Sequence, residues 1–230
     1  INTDGPCMLI AGAGSGKTRV LTYRIAHLIQ GKGVDPFNIM ALTFTNKAAG
    51  EMKERLESLA YPGISNDLWV GTFHSVCCRL LRRYHSEVGL ERSFVIYDES
   101  DQKAMITRII RAMGVDERLT PPKPVLNRIH KQKQEGYRPS DIHPGPSFDE
   151  THIQIFERYE KALQAANAVD FDDLILHMVR IAESTSAAGS ELRSRFDHLL
   201  VDEFQDTNSI QYRLIRALSA QSRNLCVVGD

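Results

Sequence analysis

Little in this sequence marks an unusual class of protein. Cysteine is scarce: four among 230 residues, Cys7, Cys77, Cys78 and Cys226, with no C-x-x-C pair and no zinc-ligand spacing. That excludes a disulfide-stapled secreted scaffold and a zinc module, and the neighbours Cys77 and Cys78 are poorly placed to bridge each other. All four read as reduced, mostly structural thiols, which suits a cytoplasmic protein. No apolar run reaches the ~20 residues needed to cross a bilayer, and no signal peptide opens the chain. Neither charge sign dominates, with 28 Lys and Arg against 29 Asp and Glu. Bulk charge therefore announces no nucleic-acid partner, and any basic surface must be local. Internal repeats and low-complexity tracts are lacking too. What is present, 42% hydrophobic and 25% charged residues, is the composition of a soluble globular chain long enough to bury a core. Its start at Ile1 and its finish in the strand-like run Leu225 to Asp230 look like trimmed edges of a longer protein.

The order of patterns is more informative. An apolar run from Cys7 to Ala11 feeds a glycine-rich turn, and helical spacing follows, with Val20, Leu21, Ile25, Leu28 and Ile29 able to share a face. Gly31-Lys32-Gly33 stops that helix. The same strand-then-helix alternation recurs at 39–44 and 46–59, then at 68–72 and 73–84. Alternation of this kind predicts a parallel sheet covered on both faces by helices. From about Glu99 to Glu183 helix signals dominate: a helix from an Asp98 cap to Met113, a break at Pro121-Pro122-Lys123-Pro124, a basic helix over 125–134, and helices over 148–166 and 172–183. Ser184 to Ser190 reads as a small-residue linker. Strand, helix and strand return at 198–201, 209–218 and 224–228. The layout is a parallel α/β sheet interrupted by an all-helical insertion.

Two segments carry chemistry. Ala11-Gly12-Ala13-Gly14-Ser15-Gly16-Lys17-Thr18 follows the first strand and opens the first helix, which is the context a phosphate-binding P-loop requires, with Ala11 in place of its first Gly. Gly14 and Gly16 let backbone N–H groups turn inward around phosphate oxygens. The helix N-terminus adds partial positive charge. Lys17 reaches the β- and γ-phosphates of ATP, and the Thr18 hydroxyl suits Mg²⁺. The apolar strand Leu199-Leu200-Val201 ends in Asp202-Glu203, which supplies a metal-binding carboxylate at Asp202 and a general base for an attacking water at Glu203.

The residues around these two segments are more specific still. Val201-Asp202-Glu203-Phe204-Gln205-Asp206-Thr207-Asn208 resembles the D-E-x-Q-D motif II of superfamily 1 DNA helicases of the UvrD, PcrA and Rep group. Ala11 to Thr18 resembles motif I of that family. Thr43 to Met52 resembles motif Ia, with Gly50 where an Arg is common, and Gly71 to Ser75 resembles motif Ib. Val169-Asp170-Phe171-Asp172-Asp173-Leu174 resembles a stretch near the end of the family's helical insertion, and Val227 to Asp230 the start of motif III.

The resemblance spans nearly the whole chain and implies a P-loop, RecA-like domain 1A over 1–88 and 191–230, split by a helical domain 1B over 89–190. It implies that Gln205 senses the γ-phosphate or the attacking water, that Arg19 packs near the adenine, and that Phe44, Thr45, Asn46, Thr72, Phe73 and His74 face single-stranded DNA. The expected activity is ATP-dependent 3′ to 5′ translocation on single-stranded DNA and at single-strand/duplex junctions. A second RecA-like domain of the same polypeptide would complete the ATP site, so residues 1–230 alone should hydrolyse ATP poorly. Two alternatives stand beside this: the helicase half of a RecB- or AddA-like helicase–nuclease, and a nucleic-acid-binding module switched by ATP. Lys123, Arg128, Lys131, Lys133 and Arg138 form a basic cluster in the insertion, read either as a contact to duplex phosphates or as a solvated helix face.

Overall fold

A computed structural model describes residues 3–12, 14–146 and 148–230. Ala13, one of the expected phosphate-loop residues, lies outside the described residues. The elements run β1 (Cys7–Ile10), α1 (Lys17–Lys32), β2 (Ile39–Thr43), α2 (Asn46–Leu59), α3 (Ile64–Asp67), β3 (Trp69–Thr72), α4 (Phe73–Tyr84), β4 (Val95–Ile96), α5 (Glu99–Ala112), α6 (Pro122–Glu135), α7 (Glu150–Ala165), β5 (Ala168–Val169), α8 (Phe171–Glu183), α9 (Ala187–Ser194), β6 (His198–Val201), α10 (Ser209–Ser219) and β7 (Leu225–Gly229). Two compact units divide the chain: 1–80 with 179–207 and 211–230, and 81–178 with 208–210.

The first unit is built on a five-stranded sheet in the order β1-β7-β6-β2-β3. Every pairing is parallel. A parallel sheet must be covered on both faces, so its inner strands read as continuous apolar runs. All residues of β2 and β6 are buried accordingly. Leu21, Ile25 and Leu28 of α1, spaced by four and three, join Ile39, Ala41, Leu200 and Val228 in one core. Gly33 closes α1 at φ 67°, donating its N–H to Ile29, while Val34 donates to Leu28. This pairing satisfies carbonyls that the last helical turn leaves open.

The second unit packs α5, α6 and α7 around Ile106, Ile110, Leu126, Ile129, Phe156 and Tyr159. It is not all-helical as expected: β4 and β5 pair in parallel, Val95 with Ala168 and Ile96 with Val169. Two-residue strands carry no readable alternation, so periodicity cannot reveal them.

Three further expectations change. The Pro-rich break does not precede α6 but begins it: Pro122 and Pro124 occupy the first turn, where no N–H is needed for the ladder. The small-residue segment after α8 is partly helical, because Ser186 caps α9 by accepting the N–H of Gly189 at 3.1 Å. The short helix α3 had no sequence signal beyond the Gly63 that caps it at φ 90°.

Gly50 sits inside α2, and a Cβ added there meets no heavy atom within 4 Å. Glycine in a helix interior leaves the unfolded chain too much freedom. Gly50→Ala is expected to stabilise the protein by about 0.5–1 kcal/mol. Thermal melting checks this, and an unchanged or lower midpoint would show that the position is strained.

Candidate functional site

All the chemically distinctive segments leave the same edge of the sheet, the C-terminal ends of the strands, where open α/β folds place ligands. The register sets their order. Ile10 lies opposite Gly229, so the glycine turn and Asp230 emerge side by side. Val201 lies opposite Val227 on one side and Leu42 on the other. Asp202 and Glu203 therefore emerge between Asp230 and the segment after β2. Thr43 lies opposite Thr72, so the Phe44 and Phe73 segments emerge together beyond them.

Within the glycine turn, Gly14 and Gly16 have φ of 75° and 89°. A side chain would be strained at either value. Gly16 caps α1 with no side-chain hydrogen bond to the first turn. Those first N–H groups are therefore presented to a ligand, at the positive end of the helix dipole. Ala11 does not join this cradle as expected. Its N–H donates to the Gly229 carbonyl at 3.0 Å, extending the β1–β7 ladder by one bond.

The loop's functional side chains and the acidic pair converge. Thr18 Oγ1 donates to Asp202 Oδ2 at 2.7 Å. Lys17 Nζ donates to Glu203 Oε2 at 3.4 Å and to the Asp230 carboxylate. Only 8% of Lys17 is exposed. Hydrogen bonding to Asp230 raises the Lys17 pKa; burial opposes this, and Glu203 adds to it. Burial pushes the Asp202 carboxyl above the ordinary aspartate range, against the Thr18 hydrogen bond that lowers it. A buried carboxylate beside a hydroxyl, two oxygen ligands in hydrogen-bond contact, fits Mg²⁺ of the kind that also takes substrate phosphates and water. Among the described residues no group of three or more His, Cys, Asp or Glu is arranged to hold a metal, and such a magnesium site needs none.

Gln205 ties the acidic pair to β7. Its Nε2 donates to Glu203 Oε2 at 2.7 Å, and its Oε1 accepts the Asp230 N–H at 3.2 Å. A Cβ on Gly229 would stand 2.7 Å from that Oε1, so a side chain at 229 would push the Gln205 amide out of this position. Glu203 has φ 50°, one of three non-glycine residues with positive φ among those described.

Arg19 lines a cavity of about 560 Å³ beside Gly14 and Gly16, together with Tyr23. Its guanidinium lies 5.3 Å from the Tyr23 ring centroid. Sequence reading missed Tyr23, although its place four residues after Arg19 puts both on one face of α1.

The residues expected to face DNA separate into two kinds. Thr45 and Asn46 are exposed, and Phe44, Thr72 and His74 are half-buried. Thr45 caps α2 by accepting the Ala48 N–H at 3.1 Å, and Thr72 accepts the Ser75 N–H at 3.2 Å. His74 already has a partner within the protein. Phe73 is a core residue, 1% exposed, its ring 5.4 Å from that of Phe44. It has no free face for a base, so the expected stacking contact is withdrawn for Phe73; Phe73 instead backs Phe44.

Of the basic cluster of the second unit, Lys123, Arg128, Lys131 and Arg138 are exposed, and one member is not. Lys133 is fully buried. Arg128 hydrogen-bonds the His152 ring, and Lys123 lies 3.5 Å from Glu99.

Comparison with known proteins agrees with this layout. A family model described as the UvrD/REP helicase N-terminal domain matches residues 1–230. The chain is 44% identical over 230 residues to the ATP-dependent DNA helicase PcrA of Bacillus subtilis (strain 168), covering 99% of this chain and 31% of that protein. It is 41% identical to the proteins of the same name from Leuconostoc citreum and from Staphylococcus aureus (strain Mu50 / ATCC 700699), with the same coverage. The chain thus spans about a third of the length of these curated relatives. No helix among the described residues is long and apolar enough to cross a membrane.

Proposed function

Because the chain belongs to the UvrD/REP helicase N-terminal family, we propose that it is the ATP-binding part of an ATP-dependent DNA helicase that moves 3′ to 5′ along single-stranded DNA. One observation carries the reading: Lys17, Thr18, Asp202 and Glu203 converge at the end of a parallel sheet beside a glycine turn. Those are the groups that hydrolysis of a metal-bound triphosphate requires.

Each group has a task. The first-turn N–H groups of α1 and the Lys17 ammonium hold the β- and γ-phosphate oxygens and stabilise charge that builds during transfer. Thr18 and Asp202 would hold Mg²⁺, which would supply positive charge to offset that of the phosphates. Glu203 accepts a proton from the attacking water as its oxygen bonds to the γ-phosphorus. The bond to the β–γ bridging oxygen breaks, and ADP leaves with that electron pair. Gln205, bonded to both Glu203 and the Asp230 backbone, orients the carboxylate. Arg19 and Tyr23 border the space for the base.

Single-stranded DNA passes along the far half of the same edge, over Phe44, Thr45, Asn46, Thr72 and His74. A half-buried aromatic offers a stacking face there, and small polar groups reach phosphates. The second unit is the insertion of the motor domain, and further chain of the same polypeptide completes the ATP site. A cytoplasmic setting beside DNA follows from this role.

The full-length protein tests the proposal. Its ATP hydrolysis should rise strongly on adding single-stranded DNA, and it should separate duplexes carrying a 3′ tail in preference to a 5′ tail. Nucleotide binding with neither DNA-stimulated hydrolysis nor strand separation would favour the ATP-switched binding module.

A further inference from the structure

At the N-terminal ends of the strands, the edge opposite the glycine turn, two arginines crowd one indole. Trp69 opens β3, and Arg195 and Phe196 lie just before β6. α4 starts at the other end of β3 and runs back along it, which brings Arg79 to Trp69. The guanidinium carbon of Arg79 lies 3.9 Å from the Trp69 ring centroid, and that of Arg195 lies 5.0 Å from it. Phe196 fixes the indole from its edge, with centroids 5.7 Å apart. Trp69 is 5% exposed, whereas Arg79 is exposed and Arg195 half-buried.

This group holds donors and no acceptor. Neither arginine forms an ion pair among the described residues. Trp69 Nε1 and Arg195 Nε are buried and meet no hydrogen-bond partner there, although buried donors are normally satisfied. Partial desolvation lowers the Arg79 pKa, and the charge of Arg195 lowers it further. Two like charges therefore stand together with nothing to offset them. Stacking occupies the face of a guanidinium and leaves the N–H groups along its edge free, and that edge matches phosphate oxygens.

We propose that Arg79 and Arg195, held on Trp69, form a binding site for a phosphate group on the opposite edge of the sheet from the nucleotide loop. The anion supplies the acceptors these donors lack and offsets the paired cations. A phosphate has oxygens enough for two guanidinium forks at once, and a carboxylate serves only one. The group is either free phosphate or one unit of a nucleic-acid backbone.

The test is arginine-selective modification of the full-length protein by phenylglyoxal, read at each arginine by peptide mass spectrometry. Mg–ADP is present throughout, so that phosphate does not report on the nucleotide loop. Inorganic phosphate at tens of millimolar, against chloride of equal ionic strength, should slow modification of Arg79 and Arg195 together by about fivefold, the occupancy of a millimolar site. If a single-stranded oligonucleotide gives the same protection at micromolar concentration, the source is a nucleic-acid backbone; protection by inorganic phosphate alone identifies free phosphate. Arg79→Lys keeps the charge but not the fork, and should abolish the protection of Arg195. An unchanged rate at either arginine of the wild type in phosphate overturns the inference, whether or not the variant folds. Arg195 protected as before in a folded Arg79→Lys protein overturns it too.

Discussion

Glu203→Gln is expected to lower steady-state ATP turnover of the full-length protein by about 10²–10⁴-fold, the usual weight of a general base, while nucleotide affinity stays close to that of the wild type. The geometry separates the two quantities. In the proposed site nucleotide would be held by the first-turn N–H groups of α1, by Lys17, and by Thr18 and Asp202, which hydrogen-bond each other. Glu203 takes no part in that cradle except through a 3.4 Å contact to Lys17. An amide keeps the shape and still accepts the Gln205 N–H through its oxygen, but it takes no proton from water. The backbone supports the assignment: φ of 50° at a non-glycine residue costs roughly 1–3 kcal/mol and persists where the surrounding structure imposes it. Here it turns the carboxylate from the end of β6 toward the glycine loop. Turnover within a few-fold of the wild type would place the base elsewhere. Joint loss of turnover and affinity would make Glu203 a binding residue.

The two halves of this site differed in how visible they were beforehand. A phosphate cradle is local: glycine at two positive-φ positions, a lysine and a hydroxyl residue at the start of one helix. Eight consecutive residues are enough to recognise it. The acidic pair is also local, as the polar end of an apolar strand. Their convergence is not local, because it depends on β7 lying between β1 and β6 with Ile10 opposite Gly229. Strand order across a parallel sheet is set by crossovers of many residues, and no short window encodes it. Hence the Asp230 contact to Lys17 and the Gln205 bridge were out of reach. Phe73 shows the converse. The family resemblance implied a ring facing DNA, yet its position at the start of α4 turns the ring inward onto Phe44.

Lys133→Met is expected to destabilise the protein by about 3–5 kcal/mol, the cost of removing one partner from a buried charge cluster. A window of sequence showed Lys133 as one of several basic residues on a helix, and only the fold reveals that it is fully buried. Its ammonium lies 2.8 Å from Asp170, 2.7 Å from Asp173 and 2.7 Å from Glu160. Burial disfavours the charged lysine, but these carboxylates more than offset it, and its pKa stands well above the ordinary value. Burial pushes Glu160 upward, against the pull of Lys133. Asp170 and Asp173 also cap α8, each accepting the other's backbone N–H. One ammonium therefore joins α6, α7 and the start of α8. Methionine preserves the volume and leaves Asp170 and Asp173 buried without a cation. The triple change Lys133→Met, Asp170→Asn, Asp173→Asn should recover much of the loss, because the amides still cap α8 and only the partly exposed Glu160 is left without its cation. Urea denaturation of the three proteins checks both claims, and the same titration repeated across pH adds a sign. Burial lowers the His130 pKa, but Asp172 at 2.5 Å overrides it, so His130 holds its proton more tightly when folded. Its contribution is complete below the unfolded value of about 6.5 and is lost as pH rises through the higher folded value. A Lys133→Met protein as stable as the wild type would mean that the cluster sheds its charge by protonation, and that the lysine joins no helices.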